Sequence, residues 1–212
     1  MKIALIGASG FVGSAILNEA VSRGHSVTAI VRDTSKLTPH PQVRAVAVDA
    51  QDPQALADVL KGHDRVISAY NPGWSAPDIH DQYLKGASAI VEAANAAHSW
   101  LLVVGGAGSL EIAPGVQLVD TPDFPAEWKQ GALAARDGLT ALRREAALDW
   151  RFVSPPVFLE PGEKRGSYRL GGDQVLFSGD KPAGITVGDL ANAVLNEAEQ
   201  PAHLRQRFTL GY

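Results

Sequence analysis

The sequence of 212 residues contains no cysteine, which excludes disulfides, thiolate metal sites and cysteine nucleophiles. It has no basic run and a formal net charge of -4, so nothing favours a nucleic-acid partner. No apolar stretch approaches the roughly 18–20 residues that span a bilayer, and the first apolar run is too short for a signal peptide. His80 and His98 have no nearby cluster of ligand-type residues, which argues against a metal site. We therefore expect a cytoplasmic monomer or homodimer that binds a small-molecule substrate, without a metal, membrane or nucleic-acid partner.

Six short apolar runs alternate with helical patterns, which predicts an α/β fold with a doubly wound parallel sheet of the Rossmann type. The predicted strands are 2–6, 27–31, 43–48, 65–69, 100–104, 150–153 and 207–210. The two long predicted helices cover 77–97 and 127–148, and shorter ones follow Gly10, Asp52 and Thr186. A hairpin is expected over 166–177, and the Pro-rich segment 110–126 is expected to be an irregular loop. This length fits a single domain, 1–212, whose last part, about 156–212, forms a small C-terminal extension on the substrate side.

The opening stretch KIALIGASGFVG joins an apolar run to an amphipathic helix through glycines spaced G-x-x-G-x-x-G. Gly7 permits a tight turn, Gly10 lets a pyrophosphate approach the main chain, and Gly13 lets the helix pack close to the strand. The first N–H groups of the helix lack helical partners and attract a phosphate. The predicted phosphate-binding residues are Gly7, Ser9, Gly10, Phe11, Val12 and Gly13. The alternative is a structural turn that binds no nucleotide.

The end of the second predicted strand indicates which dinucleotide binds. An acid there holds the ribose 2′-OH of NAD, whereas an arginine accommodates the 2′-phosphate of NADP. Arg32 comes first, and Lys36 adds a second positive charge. Asp33 could instead pair with a 2′-OH, so NAD stays an alternative to the favoured NADP. A further alternative is that both cations are merely solvated.

The other candidates follow later strands, because ligands of open α/β sheets bind beyond the carboxyl ends of the strands. Those predicted to line the adenine and nicotinamide ends of the cofactor are Asp49, Ala69, Tyr70, Asn71, Gly105, Gly106 and Pro155. The glycine pair would let a ligand approach the main chain, and Pro155 belongs to a turn over the nicotinamide position. Ser109 delivers a hydroxyl near the same crevice. For Asp49 and Ser109, a structural role in a turn or loop is the alternative.

Several segments resemble the NADH-flavin reductase-like group of atypical short-chain dehydrogenases. They are residues 6–13 (IGASGFVG), 28–33 (TAIVRD), 103–110 (VVGGAGSL), 119–125 (VDTPDFP), 152–155 (FVSP), 171–174 (GGDQ) and 205–208 (RQRF). The resemblance covers essentially the whole chain. It implies a Rossmann fold that binds NAD(P) and a role in hydride transfer, with flavin as a candidate acceptor.

The chain departs from the wider short-chain dehydrogenase superfamily because it lacks the Tyr-x-x-x-Lys pair. In that pair the tyrosine supplies a proton to a carbonyl and the lysine lowers the pKa of the tyrosine. Tyr70, Tyr83 and Tyr168 are followed at that spacing by tryptophan, alanine and glycine. Trp128 and Lys129 lie where the pair is expected, and an indole cannot act as a general acid at neutral pH.

Hydride transfer to a flat acceptor, such as a free flavin or a quinone, needs no tyrosine because the electronics belong to the cofactors. We therefore hypothesise an NAD(P)H-dependent reductase of such an acceptor, with Ser109, Trp128 and Lys129 as the candidate catalytic residues. The alternative is an NAD(P)-binding redox sensor without catalysis, similar to the nitrogen-metabolite-repression regulators. A sugar-nucleotide epimerase or dehydratase is less favoured, since those enzymes usually rely on the missing tyrosine.

Overall fold

The computed structural model describes all 212 residues. Its helices are α1 (Phe11–Ser22), α2 (Pro53–Leu60), α3 (Ile79–Ala96), α4 (Ala126–Leu142) and α5 (Val187–Glu199). Its strands are β1 (Lys2–Ile6), β2 (Ser26–Val31), β3 (Val43–Ala47), β4 (Arg65–Ser68), β5 (Trp100–Val104), β6 (Glu111–Ala113), β7 (Val116–Gln117), β8 (Asp149–Ser154), β9 (Phe158–Glu160), β10 (Arg169–Gly171), β11 (Phe177–Ser178), β12 (Lys181–Pro182), β13 (Gly184–Thr186) and β14 (Arg207–Gly211). None of the helices combines the length and the apolar character needed to cross a membrane.

Eight of the strands form the central sheet, in the order β10-β14-β8-β5-β4-β1-β2-β3. Every neighbouring pair is parallel except β10 and β14, which are antiparallel at one edge. From β1 the chain proceeds outward to β3 and then crosses back to β4, on the other side of β1. The strand order therefore reverses between β1 and β4, where doubly wound sheets bind their ligands. The predicted Rossmann-type sheet is confirmed.

Helices cover both faces of the sheet, because its inner strands are apolar on both sides. In β1, Ile3 and Leu5 belong to the apolar core shared with α1 and α5. Ala4 and Ile6 belong to the opposite core, shared with α2, α3 and α4. All four side chains are buried, so both cores hold β1 firmly and fix the turn that follows it.

The helix boundaries follow from local sequence chemistry. Asp52 is the N-cap of α2, its carboxylate accepts a main-chain N–H of the first turn, and Pro53 occupies the first helical position. Thr186 caps α5 in the same way. Gly24, just after α1, has a φ of +80°, a left-handed conformation that glycine adopts without penalty. The helix starts predicted after Asp52 and Thr186 are confirmed.

The helix predicted over 127–148 is too long at its carboxyl end. The helix α4 stops at Leu142, and the following turn leaves Ala146 exposed rather than facing inward. The N–H of Glu145 bonds to the carbonyl of Leu142, only three residues back. The indole N–H of Trp150 then takes the carbonyl of Glu145 at 3.2 Å. Trp150 is a buried residue of β8, and its indole N–H occupies a carbonyl that a continued helix would need for its own hydrogen bonds. The chain therefore leaves the helix and enters β8.

The hairpin predicted over 166–177 is wrong. Strand β10 pairs with β14, and β11 pairs with β12. The carbonyl of Asp173 accepts the N–H of Glu111 at 2.9 Å, and its carboxylate binds Arg207. The Gly-Gly stretch before Asp173 therefore crosses between elements instead of closing a hairpin. Segment 110–126 is also more ordered than expected, since it contains the antiparallel pair of β6 and β7.

Candidate cofactor crevice and acceptor site

The glycine turn after β1 lies against the loop after β4, at the point where the strand order reverses. Gly7 has a φ of +79°, and a Cβ on it would lie 2.6 Å from the carbonyl oxygen of Ala69. Only glycine satisfies both conditions, because an L side chain would be strained and would strike main-chain atoms. The predicted residues Gly7 and Ala69 are thus brought together at one end of the crevice.

The other two glycines of the motif, Gly13 and Gly10, have different structural roles. A Cβ on Gly13 would overlap the carbonyl oxygen of Gly7 and lie 3.0 Å from the Cα of Ala8, so glycine is what lets α1 approach the turn. A Cβ on Gly10 would meet only the oxygen of Gly7, at 3.4 Å. Gly10 is exposed, and the space above it is open to a ligand.

The N-terminus of α1 fits the pyrophosphate of a dinucleotide. Gly10, its N-cap, offers no side-chain hydrogen bond, and the first turn contains no acidic residue. In each of the other four helices, a side chain caps the N-terminus or an acid lies in the first turn. The unpartnered N–H groups of α1 and its positive dipole end therefore remain available to an anion. Ser9 and Phe11 are exposed beside them, and Val12 is half-buried.

At the end of β2, Asp33 and Arg32 are the two candidates for contact with the ribose of the cofactor. They differ in their hydrogen bonds. The carboxylate of Asp33 accepts the N–H of Ser35 at 3.0 Å and its hydroxyl at 2.6 Å. These bonds lower the pKa of Asp33 and tie its carboxylate to its own turn. Arg32 and Lys36 are exposed, and neither takes part in an ion pair or a side-chain hydrogen bond. The free guanidinium of Arg32 has the geometry to bind a phosphate.

Asp49 and Asn71, after β3 and β4, both stabilise their own turns. One carboxylate oxygen of Asp49 accepts the N–H of Gln51 at 3.0 Å. The side-chain oxygen of Asn71 accepts the N–H of Gly73 at 2.8 Å. Both residues are exposed at the carboxyl edge, so they can still contact a ligand with their remaining polar atoms.

Tyr70 lies at this edge, but its hydroxyl is occupied. It donates to the carbonyl of Gln82 at 3.0 Å and accepts from the amide of Gln51 at 3.4 Å. Burial raises the pKa of Tyr70. Its ring covers Gly86 of α3, where a Cβ would lie 2.6 Å from the hydroxyl oxygen. The hydroxyl of Tyr70 is therefore committed to structural hydrogen bonds, and its ring packs on α3.

The glycine-rich end of β5 is used for packing more than for ligand access. A Cβ on Gly105 would lie 2.9 Å from Cε2 of Phe152 and would overlap the tip of that ring. The sequence predicted that Gly105 lets a ligand approach the main chain, but the ring of Phe152 occupies the space beside it. Gly106 is less restricted, since its nearest neighbour would be Ala135 at 3.6 Å. Pro155 is buried in the turn that follows β8.

Ser109 is buried, and its hydroxyl oxygen accepts Nη1–H of Arg207 at 2.9 Å. The same guanidinium donates through Nε to Asp173 at 2.7 Å. Burial lowers the pKa of Arg207, while Asp173 counteracts this effect. This network, which sequence reasoning missed, anchors the loop after β5 to β14. The only signal for it was a charged residue, Arg207, at the start of an otherwise apolar strand.

Trp128 and Lys129 are exposed in the first turn of α4. Trp128 lies one helical turn before Ala132, on the same face of the helix. Ala132 packs on the loop after β5, since a Cβ on Gly108 would lie 2.8 Å from the Cβ of Ala132. Trp128 therefore lies near the loop after β5, at the amino-terminal end of α4. Lys129 forms no ion pair or side-chain hydrogen bond.

Two cavities of about 350 and 330 Å³ lie elsewhere in the chain. The first adjoins the carboxyl half of α5, and the second lies between α3 and α4 beneath Tyr70. Neither is lined by the glycine turn.

Known proteins match this chain over most of its length. A family model described as NAD(P)H-binding matches residues 7–201. The chain belongs to this NAD(P)H-binding family. The uncharacterised protein YwnB of Bacillus subtilis (strain 168) is 40% identical over 214 residues, which cover 99% of this chain and 98% of that protein. The start of the match at Gly7 agrees with the dinucleotide turn described above.

Solved structures of similar proteins extend this finding. A proposed epimerase from Bacteroides thetaiotaomicron is 41% identical, with a TM-score of 0.93 over 100% of this chain and 96% of that one. A proposed NADH-flavin reductase from Streptococcus pneumoniae is 38% identical, with a TM-score of 0.88 over 100% and 99%. A protein from Burkholderia pseudomallei that is proposed to be exported is 41% identical, with a TM-score of 0.90 over 100% of both chains. Family and fold together support an NAD(P)H-dependent oxidoreductase.

Proposed function

We propose that this protein is an NADPH-dependent reductase that passes hydride to a flat acceptor such as a free flavin or a quinone. In this proposal it acts in the cytoplasm as a monomer or homodimer. A nicotinamide cofactor supplies the hydride when it is bound. The protein then has to hold the dinucleotide, orient the acceptor ring over it and exclude water.

Each half of the cofactor would be held by residues already placed at the crevice. The N–H groups of the first turn of α1 would hold the pyrophosphate, with Gly10 leaving the approach open. Arg32 would bind the 2′-phosphate through a bidentate guanidinium contact. Tyr70 and the buried turn at Pro155 would line the nicotinamide side.

The observation that carries the choice of acceptor is the first turn of α4. The helix presents Trp128, which is 54% exposed, in the region where the superfamily uses its proton-donating tyrosine. An exposed indole cannot protonate a carbonyl, but its face can stack on a flat ring. Lys129 beside it offers an unpaired positive charge to an acceptor that becomes anionic on reduction.

The direct test is the oxidation of NADPH by the purified protein with FMN, FAD and several quinones. We expect turnover above the reaction of NADPH with each acceptor alone, and weaker turnover with NADH. Gly10→Glu should abolish activity and cofactor binding, because its carboxylate would meet the pyrophosphate. Ala146→Glu is the matched control, since it adds the same charge in the exposed turn that follows α4. Absence of turnover across the panel would reject the proposal.

A specific observation also favours a redox sensor without catalysis. The hydroxyl of Tyr70 donates its proton to the carbonyl of Gln82 and accepts from the amide of Gln51, so the tyrosine at this edge of the sheet is not free to protonate a substrate. A sensor would bind one redox form of the nucleotide more tightly and would bind a protein partner. Calorimetry with NADP and NADPH distinguishes the two functions when it is combined with the turnover assay.

A further inference from the structure

The four tryptophans of the chain divide into a buried pair and an exposed pair. Trp100 and Trp150 are 7% and 2% exposed, whereas Trp74 and Trp128 are 62% and 54% exposed. A single exposed apolar side chain is normal at a protein surface, whereas neighbouring ones form the kind of patch that marks a binding site. Both exposed indoles lie at the carboxyl edge of the sheet, where the proposed function requires the acceptor.

The turn after β4 is built to hold Trp74 in one place. The side-chain oxygen of Asn71 accepts the N–H of Gly73 at 2.8 Å, and Gly73 has a φ of +115°. The carbonyl of Gly73 then accepts the N–H of Ala76 at 3.1 Å. Hydrogen bonds on both sides of Trp74 therefore fix its main chain, although its side chain is largely in water.

The indole of Trp74 occupies a slot in α4 that a glycine leaves open. A Cβ on Gly131 would lie 2.6 Å from Cζ3 of Trp74 and 3.2 Å from Cδ1 of Ile79. Trp74 thus rests on bare helix backbone, beside the first residue of α3. Glycine inside a helix is less favourable than alanine. Gly131 therefore lowers the stability of α4 but leaves room for the indole of Trp74.

The slot places Trp74 next to Trp128. Trp128 is three residues before Gly131, so the two positions are neighbours on the surface of α4. Trp128 lies near the loop after β5, and Trp74 follows from β4, the adjacent strand. The two exposed indoles therefore lie beside neighbouring positions of α4, at the same edge of the sheet.

We infer that Trp74 and Trp128 form a two-indole wall for the acceptor, and that Trp74 is the residue that selects fused-ring acceptors over single-ring ones. This inference rests on the proposed function. One indole covers about one ring, and the second extends the stacking surface to an isoalloxazine or a naphthoquinone. The electron-rich indole faces suit these electron-poor rings.

The test uses the full chain, with riboflavin as the binding probe and quenching of riboflavin emission as the readout. Trp74→Leu and Gly131→Ala should each weaken riboflavin binding by about tenfold, because both remove Trp74 from the wall. With NADPH, both should raise KM for riboflavin and for menadione, while KM for benzoquinone stays within about twofold of the wild-type value. Phe177→Leu, another exposed aromatic, is the control and should change neither binding nor KM.

Gly131→Ala separates recognition from folding. The added methyl group meets only the far end of the Trp74 side chain and the tip of Ile79, and alanine favours the helix. The melting temperature should therefore be equal to or above that of the wild type while acceptor binding falls. The double variant Trp74→Leu/Gly131→Ala should bind no more weakly than Trp74→Leu alone, since both changes act through one indole.

Two negative results have different meanings. If the wild type reduces riboflavin and both single variants bind and reduce it with wild-type constants, the role of Trp74 is wrong and the proposed function stands. If the wild type binds NADPH but neither binds nor reduces any of the three acceptors, the proposed function is wrong, and the indole wall is rejected with it.

Discussion

Replacing Gly13 and Gly10 by alanine should separate the part of the glycine motif that builds the fold from the part that binds the cofactor. In Gly13→Ala, the new Cβ overlaps the carbonyl oxygen of Gly7 and lies 2.8 Å from its carbonyl carbon. Real Cβ atoms essentially never lie within 3.0 Å of a heavy atom of a non-adjacent residue, and the overlapped oxygen is the closer of the two atoms, so α1 must move by about 1 Å or more against rigid main chain. Overpacking of this kind lowers the free energy of unfolding by about 1–3 kcal/mol. The higher helix propensity of alanine offsets up to about 1 kcal/mol of this loss.

We expect Gly13→Ala to be less stable by about 2 kcal/mol, which lowers Tm by roughly 4–8 °C for a chain of this size. Gly10→Ala should leave Tm unchanged or slightly higher, because Gly10 has a φ of -77° and its methyl group points into open space. Its affinity for NADPH should still fall by about 1–3 kcal/mol, since the methyl lies where the pyrophosphate approaches. Thermal melts and calorimetry with NADPH measure both quantities. If Gly13→Ala and Gly10→Ala had the same melting temperature and the same affinity for NADPH, this division of roles would be refuted.

Three further predictions concern other residues of the structure. Arg32→Ala should weaken NADPH binding by about 1.5–3 kcal/mol, as expected for a lost charged hydrogen bond, and leave NADH binding almost unchanged when both are measured by calorimetry. Gly86→Ala should lower Tm, with a loss of about 1–3 kcal/mol in denaturant unfolding, because its Cβ would displace the ring of Tyr70. Burial raises the pKa of Asp189, but its hydrogen bonds, of which that from Tyr212 has the largest effect, lower the pKa below the ordinary value of 3.8. Stability from Asp189 is therefore present above that value and lost as pH falls through the lower folded pKa, a component that Asp189→Asn should lack in urea unfolding at several pH values.

Each of these predictions has a matched control at an exposed position. Arg44→Ala removes an unpaired arginine from the edge strand β3 and should not change the preference between NADPH and NADH. Gly172→Ala adds a methyl group with nothing within 4 Å and should melt like the wild type. Asp180→Asn should keep the acid-dependent loss of stability. The predictions fail if a control behaves like its test variant.

The sheet and the glycine turn were predictable because local rules act alone there. Apolar runs that alternate with helices leave few topologies other than a doubly wound sheet. The spacing of Gly7, Gly10 and Gly13 predicted a different role for each glycine, and the structure gives a positive φ, open space and a close helix approach at these positions. Asp52 and Thr186 were predictable as N-caps for the same reason, since a cap depends on its own first turn.

The errors and omissions arise where distant residues compete with local patterns. The Gly-Gly pair before Asp173 has hairpin chemistry, but Arg207 and Glu111 bind Asp173 from elsewhere in the chain. Gly105 has the composition of a ligand loop, yet the ring of Phe152 fills the space beside it. A single sequence cannot show such contacts, because they depend on which side chains the finished fold brings together.

The cofactor side and the acceptor side of the crevice are built from different parts of the fold. In the proposed function, the dinucleotide contacts would come from the turn after β1, which the buried sheet fixes, and from Arg32 at the end of β2. The acceptor wall that we infer would come from the turn after β4 and the first turn of α4, where Trp74 and Trp128 belong to neither apolar core. Because proteins with this same fold carry names as different as epimerase and flavin reductase, the fold does not decide the reaction. Changes at Trp74, Trp128 or Gly131 should therefore alter the acceptor without loss of NADPH binding, whereas changes at the glycine turn should abolish reduction of every acceptor at once.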